Sequence, residues 1–378
     1  MGIEQYKALF VFTSGFSIFT IMLLSLRLIS LSRKTEADEL DEDERWTSTK
    51  ELEIVEVISE THNIKSFKLK RVDGYAFPSF HCGQFISFQI DDNSSLTRSY
   101  SISSMEQNRH VVQVSVKQLT NGIGSTWFHQ RREGDRVLAF PPSGHFFDLG
   151  DGEQERIFVA GGIGITPMLS ILLTHLENGK KFKMSLFYGA RTRQDLAFHG
   201  LLDYLAARHD HFNYFPILSN DNEWMGDTGY LNWNFIKNKK LKFENPLVYI
   251  CGPDAMTEPL LKELDSEGFP ELNIHIEKFV SPSALDESQI PERDLKVKWL
   301  GQTYEYHGRQ DLLSFLESQN QSLPYACRSG VCGSCKCWIK GPYKMLTQAG
   351  LTRLEQKKGL ALACVSFPEG DIEVQLEN

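Results

Sequence analysis

Four cysteines near the C-terminus constrain this chain more than any other feature. Cys327, Cys332 and Cys335 stand in CRSGVCGSC, and Cys364 follows at a distance in LACVSF. The spacing C-x4-C-x2-C plus one remote cysteine is a thiolate set for a [2Fe–2S] cluster. It demands a tight loop that supplies three ligands and a separate element that brings the fourth, so a small domain must close around both. Ser329, Gly330 and Gly333 are small enough for backbone N–H groups to turn toward the sulfurs, which helps set the potential. Cys337, two positions past Cys335 at the start of CWIKG, reads as a strand residue and not a ligand. A zinc site would show paired knuckles, often with histidine. A disulfide set belongs to small domains in oxidising compartments. Neither matches one triplet and a singleton.

A one-electron centre needs a source of electrons, and two glycine-rich signals lie upstream. GGIGITP, Gly161 to Pro167, follows the apolar run RIFVA and precedes MLSILLTHL, whose apolar residues recur with helical period. VYICGPDAM, Val248 to Met256, ends an apolar run in Cys251-Gly252-Pro253 before another helix. Strand, glycine turn and helix together expose backbone N–H groups where a diphosphate can sit. The first turn is not G-x-G-x-x-G, and taken alone it does not fix a nucleotide. With LFYGART and YFPILS between the two signals, the segment from about 155 to 280 alternates strand and helix, as a parallel α/β domain does.

Residues 48–147 read differently. LEIVEVIS, SFKLKRV, QFISFQI, RSYSISS, VVQVSV and DRVLAF are short β-rich runs separated by turn residues, and the one helical stretch is STWFHQRR. This predicts a small antiparallel barrel. Arg98-Ser99-Tyr100-Ser101 offers a cation, hydroxyls and a flat aromatic face. Asn121-Gly122-Ile123-Gly124-Ser125-Thr126 offers an anion nest ahead of a helix. Each, by itself, also reads as an ordinary strand or turn.

At the N-terminus, Ala8 to Leu26 is nineteen residues without a charge. As a helix it would span roughly 28 Å, close to the hydrocarbon thickness of a bilayer. Arg27, Arg33 and Lys34 follow it, so the positive-inside rule places the rest of the chain in the cytoplasm. The run is longer than a signal-peptide core and lacks a small-residue cleavage site. The sequence therefore predicts a single-pass anchor in the inner (cytoplasmic) membrane, with the catalytic domains on the cytoplasmic side. The acidic run Glu36 to Arg45 reads as a solvated tether. A net charge of −9 argues against nucleic acid as a partner.

Taken together, these motifs resemble the ferredoxin–NADP reductase superfamily joined to a C-terminal plant-type ferredoxin domain. The signatures are R-x-Y-S at Arg98–Ser101, GGIGITP, CGPDAM and the cysteine set, in that order. The order is similar to the reductase components of multicomponent oxygenases, including phenylacetyl-CoA and ketosteroid hydroxylase reductases, and to hybrid-cluster-protein reductases. The fold class implied is multidomain α+β. A transmembrane helix (1–34) and an acidic linker (35–47) precede an antiparallel flavin-binding β-barrel (48–150). An α/β parallel-sheet nucleotide domain (151–280), a linker (281–293) and a β-grasp ferredoxin domain (294–378) follow.

The resemblance also implies roles. Arg98, Ser99, Tyr100 and Ser101 would hold the flavin ring and phosphate, and Gly124, Ser125 and Thr126 its pyrophosphate. Gly161, Gly162, Gly164, Thr166, Gly252 and Pro253 would line the nicotinamide dinucleotide site. Arg191, in a Y-G-x-R match, would meet the adenosine half. Cys251 would lie near the nicotinamide, with Glu277 and Phe279, the E-x-F of HIEKF, beside the flavin. Cys327, Cys332, Cys335 and Cys364 would bind the cluster. GIGST followed by Trp127-Phe128-His129 is similar to the FAD group rather than the FMN group, and NADH is the favoured donor. The implied activity is NAD(P)H-dependent electron transfer to a terminal oxygenase, hydroxylase or desaturase. The alternatives are a hybrid-cluster-protein reductase, or the NADH-oxidising component of a quinone-reducing membrane complex. In that component the ferredoxin domain precedes the flavin domain.

Overall fold

The computed structural model describes residues 46, 49–90, 96–241, 243–279, 291–325 and 327–376. The expected anchor, the acidic run and most of the linker 281–293 lie outside the described residues. Among the described residues no helix is long and apolar enough to cross a membrane.

Each β-rich run of the first domain forms a strand. They are β1 (Lys50–Ser59), β2 (Ile64–Arg71), β3 (Phe85–Gln89), β4 (Thr97–Ser101), β5 (Val112–Lys117) and β6 (Arg136–Ala139), with α1 (Ile123–His129) between the last two. Period-two alternation is clear in part of β2, where Phe67 and Leu69 are buried while Lys68 and Lys70 point outward. The strands pair antiparallel in the order β4-β3-β6-β1-β2-β5. An isolated bridge from Ile102 to Val114 joins the two ends, so the barrel closes at a seam beside β4.

The second domain holds β7 (Arg156–Gly161), α2 (Ile165–Glu177), β8 (Met184–Ala190), α3 (His199–Arg208), β9 (Phe212–Leu218) and β10 (Asp227–Thr228). It continues through α4 (Trp233–Asn238), β11 (Leu247–Cys251), α5 (Asp254–Ser266) and β12 (Ile274–Glu277). All six strands are parallel, in the order β10-β9-β8-β7-β11-β12. Every residue of β7 is buried, as expected of a strand covered on both faces. Phe158 and Ala160 pack toward α2, while Ile157 and Val159 serve the opposite layer. The strand order reverses between β7 and β11, and such a switch point opens a ligand crevice at the C-terminal strand ends.

The third domain comprises β13 (Arg293–Trp299), β14 (Gln302–Gly308), α6 (Leu312–Ser318), β15 (Lys336–Lys340), β16 (Tyr343–Met345), α7 (Arg353–Lys358), β17 (Leu360–Leu362), β18 (Ser366–Pro368) and β19 (Ile372–Leu376). Its five-stranded sheet, β14-β13-β19-β15-β17, packs Val297 and Trp299 against Leu312, Phe315 and Leu316 of α6. Cys337 lies inside β15, fully buried, opposite Ala361 and Leu376.

A buried charge cluster pins the passage from barrel to parallel sheet. Asp148, in the connecting segment, accepts from Arg156 Nε at 2.9 Å and from the Gly150 amide at 2.9 Å, and His175 Nε2 of α2 lies 3.0 Å away. Its carbonyl accepts from the Cys82 thiol. Arg156 also donates to the carbonyls of Gln154 and Asp151 and stacks over Phe182. Burial alone would raise the Asp148 carboxyl. Hydrogen bonds from His175, Arg156 and Gly150 outweigh it and hold the group well below the usual carboxylate range. Replacing Asp148 with alanine strands the Arg156 guanidinium in the interior. The variant is expected to lose about 3–5 kcal/mol of stability in urea unfolding, and a loss within about 1 kcal/mol, that of a surface pair, would contradict this account.

Candidate functional site: three cofactor seats on adjoining domains

The cysteine quartet comes together as two pairs. Cys327, Cys332 and Cys335 lie in the loop ahead of β15, and Cys364 arrives on a short 3-10 turn after β17. All four are buried. The Cys335 and Cys364 Sγ atoms are 3.2 Å apart. The Cys327 sulfur accepts from the amides of Ser329 and Cys332, and the Cys332 sulfur from those of Cys327 and Ser334, at 3.3–3.5 Å. A hydrogen bond from the Cys332 thiol and the donors around Ser329 lower the Cys327 thiol, and the Cys364 thiol does the same for Cys335. Among the described residues no three cysteine, histidine or acidic side chains surround a single point. Four buried thiols, with backbone amides aimed at the sulfurs of Cys327 and Cys332, fit a thiolate-bound cluster.

The flavin signature occupies β4, the strand beside the barrel seam. Arg98 and Tyr100 face the turn that opens α1: a β-carbon on Gly124 would lie 2.6 Å from Arg98 Cγ and 2.8 Å from the Tyr100 hydroxyl. The Arg98 guanidinium donates to the Thr97 carbonyl and has no carboxylate partner among the described residues. Such a cation beside an open turn fits a phosphate. Tyr100 packs edge-on against Phe128, and burial pushes its hydroxyl up. Ser99 bonds Ser87 at 2.9 Å. The Ser125 hydroxyl is engaged in its own turn, accepting from the Leu119 amide and donating to the Gly122 carbonyl, and Thr126 follows it within α1.

The two glycine-rich signals meet at the switch point. Ala160 and Cys251 are register partners on β7 and β11. Gly164 approaches the Cys251 carbonyl so closely that a β-carbon would collide with it, and one on Gly161 would reach 2.8 Å from the Pro253 ring. Gly162 opens the 3-10 turn between them, Gly252 precedes Pro253, and the Thr166 hydroxyl donates to the Ile163 carbonyl.

Ser101, Cys251 and Glu277 close the gap between barrel and sheet. Cys251 and Glu277 are register partners on β11 and β12, and Ser101 Oγ donates to Glu277 Oε2 at 3.2 Å. Burial raises the Glu277 carboxyl to about 8, with the Ser101 hydroxyl pulling partly back, so it holds a proton at neutral pH. Burial, and the neighbouring Glu277, keep the Cys251 thiol protonated. Two expected residues stand apart: Arg191 is exposed past the end of β8, and Phe279 is 47% exposed beyond β12. One residue that sequence reasoning missed belongs here. Lys117, at the end of β5, points its ammonium to within 3.9 Å of where a side chain on Gly162 would begin. Its signal was a lysine closing the apolar run VVQVSV.

The geometry defines a three-domain electron-transfer flavoprotein, and comparison with known proteins agrees. Residues 51–147 match the family described as oxidoreductase FAD-binding domain, 158–261 the oxidoreductase NAD-binding domain, and 297–369 the 2Fe-2S iron-sulfur cluster binding domain. The chain belongs to the ferredoxin–NADP reductase superfamily, in the arrangement that carries a ferredoxin domain after the nucleotide domain. It is 25% identical over 352 residues to the glycine betaine monooxygenase reductase subunit of Pseudomonas aeruginosa, covering 87% of this chain and 96% of the relative. It is 27% identical over 343 residues to the ferredoxin reductase component of the 3-ketosteroid-9-alpha-monooxygenase of Mycobacterium tuberculosis, covering 85% and 94%. The solved structure of phthalate dioxygenase reductase aligns with a TM-score of 0.59 at 26% identity, covering 87% of this chain and 98% of that one. The chain is an oxidoreductase whose cofactors are FAD, a nicotinamide nucleotide and a [2Fe–2S] cluster.

The raised Glu277 carboxyl carries a pH signature. Its folded value lies above the ordinary unfolded value, so the stability it contributes is complete at acid pH and is lost as pH rises toward about 8. In chemical denaturation across mildly acid to alkaline pH, wild type should weaken relative to Glu277→Gln up to about pH 8 and run parallel to it above. Parallel curves throughout would mean that the carboxyl ionises normally.

Proposed function

We propose that this chain is the membrane-tethered reductase component of an oxygenase, hydroxylase or desaturase system. The observation that carries this reading is near full-length alignment with proteins named as monooxygenase reductase components, in the same domain order. The apolar run Ala8–Leu26 supports a tether, which would hold the reductase in the plane of a membrane-bound acceptor and raise their encounter rate. NADH is the expected donor. No relative described above favours a hybrid-cluster protein as the acceptor, and the position of the ferredoxin domain speaks against a component of a quinone reductase.

The residue roles follow from the site. A bound flavin supplies the conversion of a two-electron hydride donor into single electrons, a chemistry that no side chain provides. Arg98 takes the flavin phosphate, and Tyr100 flanks the ring. Gly161, Gly162 and Gly164 let the dinucleotide approach the backbone, with Lys117 adding a positive charge. Arg191 reaches the adenosine half. Glu277 keeps a proton beside Ser101, where the two rings would meet, and the protonated Cys251 thiol leaves that wall uncharged. Cys327, Cys332, Cys335 and Cys364 hold the cluster.

Two measurements test the proposal. Cys335→Ser should keep wild-type reduction of the flavin by NADH, but lose the cluster's electron paramagnetic resonance signal and reduce cytochrome c only at background. Wild-type cytochrome c reduction would remove the cluster from the end of the chain. Deleting residues 1–34 should move the protein from the membrane fraction to the soluble fraction, and a truncated chain that still sediments with membranes would refute the tether.

A further inference from the structure

The cysteine loop is seated on the flavin barrel. Phe85, the first residue of β3, is 5% exposed and packs with Cys327, Cys332 and Val331 in one buried cluster. Thr97, the first residue of β4, donates its hydroxyl to the Cys327 carbonyl across 230 positions of sequence. His145 presses on the same loop, where a β-carbon on Gly333 would lie 2.7 Å from its Nε2; only glycine fits there, at a φ of +71°. The seat and the flavin signature share one hairpin. Phe85 pairs through its backbone with Ser101, and Thr97 directly precedes Arg98. An aromatic side chain from the strand pair that carries the flavin residues thus shares a buried cluster with two of the proposed cluster ligands.

We propose that Phe85 and Thr97 are positioning residues for the internal electron step, holding the Cys327–Cys332 side of the cluster against the β3–β4 hairpin. The rate of electron transfer falls steeply with separation, so a contact that fixes this distance governs the step as surely as a reacting group would. Thr97 pins the backbone of a ligand, and Phe85 fills the interface and keeps water out of it. Neither side chain is oxidised or reduced. Over two successive steps the reduced flavin would give one electron at a time to a ferric iron, the cluster passing the first on before taking the second, and one proton would leave the flavin to solvent across the two. The incoming electron therefore arrives from the Cys327–Cys332 side. The proposal holds whichever protein accepts the electron, but it rests on the four cysteines being the cluster ligands.

Full-length holoprotein carrying Thr97→Val, which keeps the shape and removes the hydroxyl, supplies the test. In anaerobic stopped flow, flavin reduction by NADH should keep its wild-type rate. Reduction of the cluster should slow by about fivefold, the weight of one hydrogen bond. Hydrogen exchange of the 327–334 amides, which needs no turnover, should quicken by a similar factor. Thr97→Ser should restore both, and Phe85→Ala should exceed Thr97→Val in both. Wild-type cluster reduction and wild-type exchange in Thr97→Val would overturn the proposal, even if Phe85→Ala does not fold. Slowed flavin reduction in Thr97→Val would also overturn it, by placing Thr97 in the flavin site. A protein with no cluster signal after dithionite reduction would refute the cysteine assignment, and this proposal with it.

Discussion

The buried contact among Asp148, Arg156 and His175 sets the frame for everything else in the structure. It lies where the barrel ends and the parallel sheet begins, and it engages both sides of that passage as well as α2. A buried charge pair is poor at adding net stability but costly to break, so it fixes a geometry more than it strengthens one. What it fixes here is the angle at which the seam of the barrel faces the switch point of the sheet. Ser101 meets Glu277 across that junction.

Much of the fold was legible because its determinants are local. Short β-rich runs separated by turn residues marked the six barrel strands, and apolar runs followed by glycine turns marked β7 and β11. The cysteine spacing marked a loop whose sulfurs do come together. Cys337 was separable from the ligands because it falls outside the C-x4-C-x2-C spacing, at the start of the strand-like run CWIKG. The site was legible only as far as its motifs reach. Asp148, Arg156 and His175 give no such signal, because no periodicity announces a charge that will be buried. Thr97 meets Cys327 across 230 positions, a pairing that nothing local encodes. Lys117 looked like the ordinary polar end of a strand. Ser125, read as a pyrophosphate ligand, spends its hydroxyl on its own turn, a use that spacing alone does not reveal.

The three domains divide the chemistry by environment. The cysteine loop surrounds thiols with amide donors, which favours the charged form that iron requires. The crevice between barrel and sheet does the opposite: burial keeps Glu277 and Cys251 protonated, so the place where two aromatic rings would stack carries little charge. In the loop Cys327 and Cys335 are lowered while their partners Cys332 and Cys364 are raised, whereas burial in the crevice simply raises Cys251.

The barrel seam has a consequence for how the protein is assembled. Strands β4 and β5 meet through an isolated bridge at Ile102 and Val114 instead of a continuous ladder, and β4 carries Arg98 and Tyr100. A flavin held by those residues would lie beside that open seam and act as its clasp. Closing the barrel and binding the cofactor then become one equilibrium, so the supply of flavin during synthesis would govern how much of this domain survives proteolysis as well as how much of it is active.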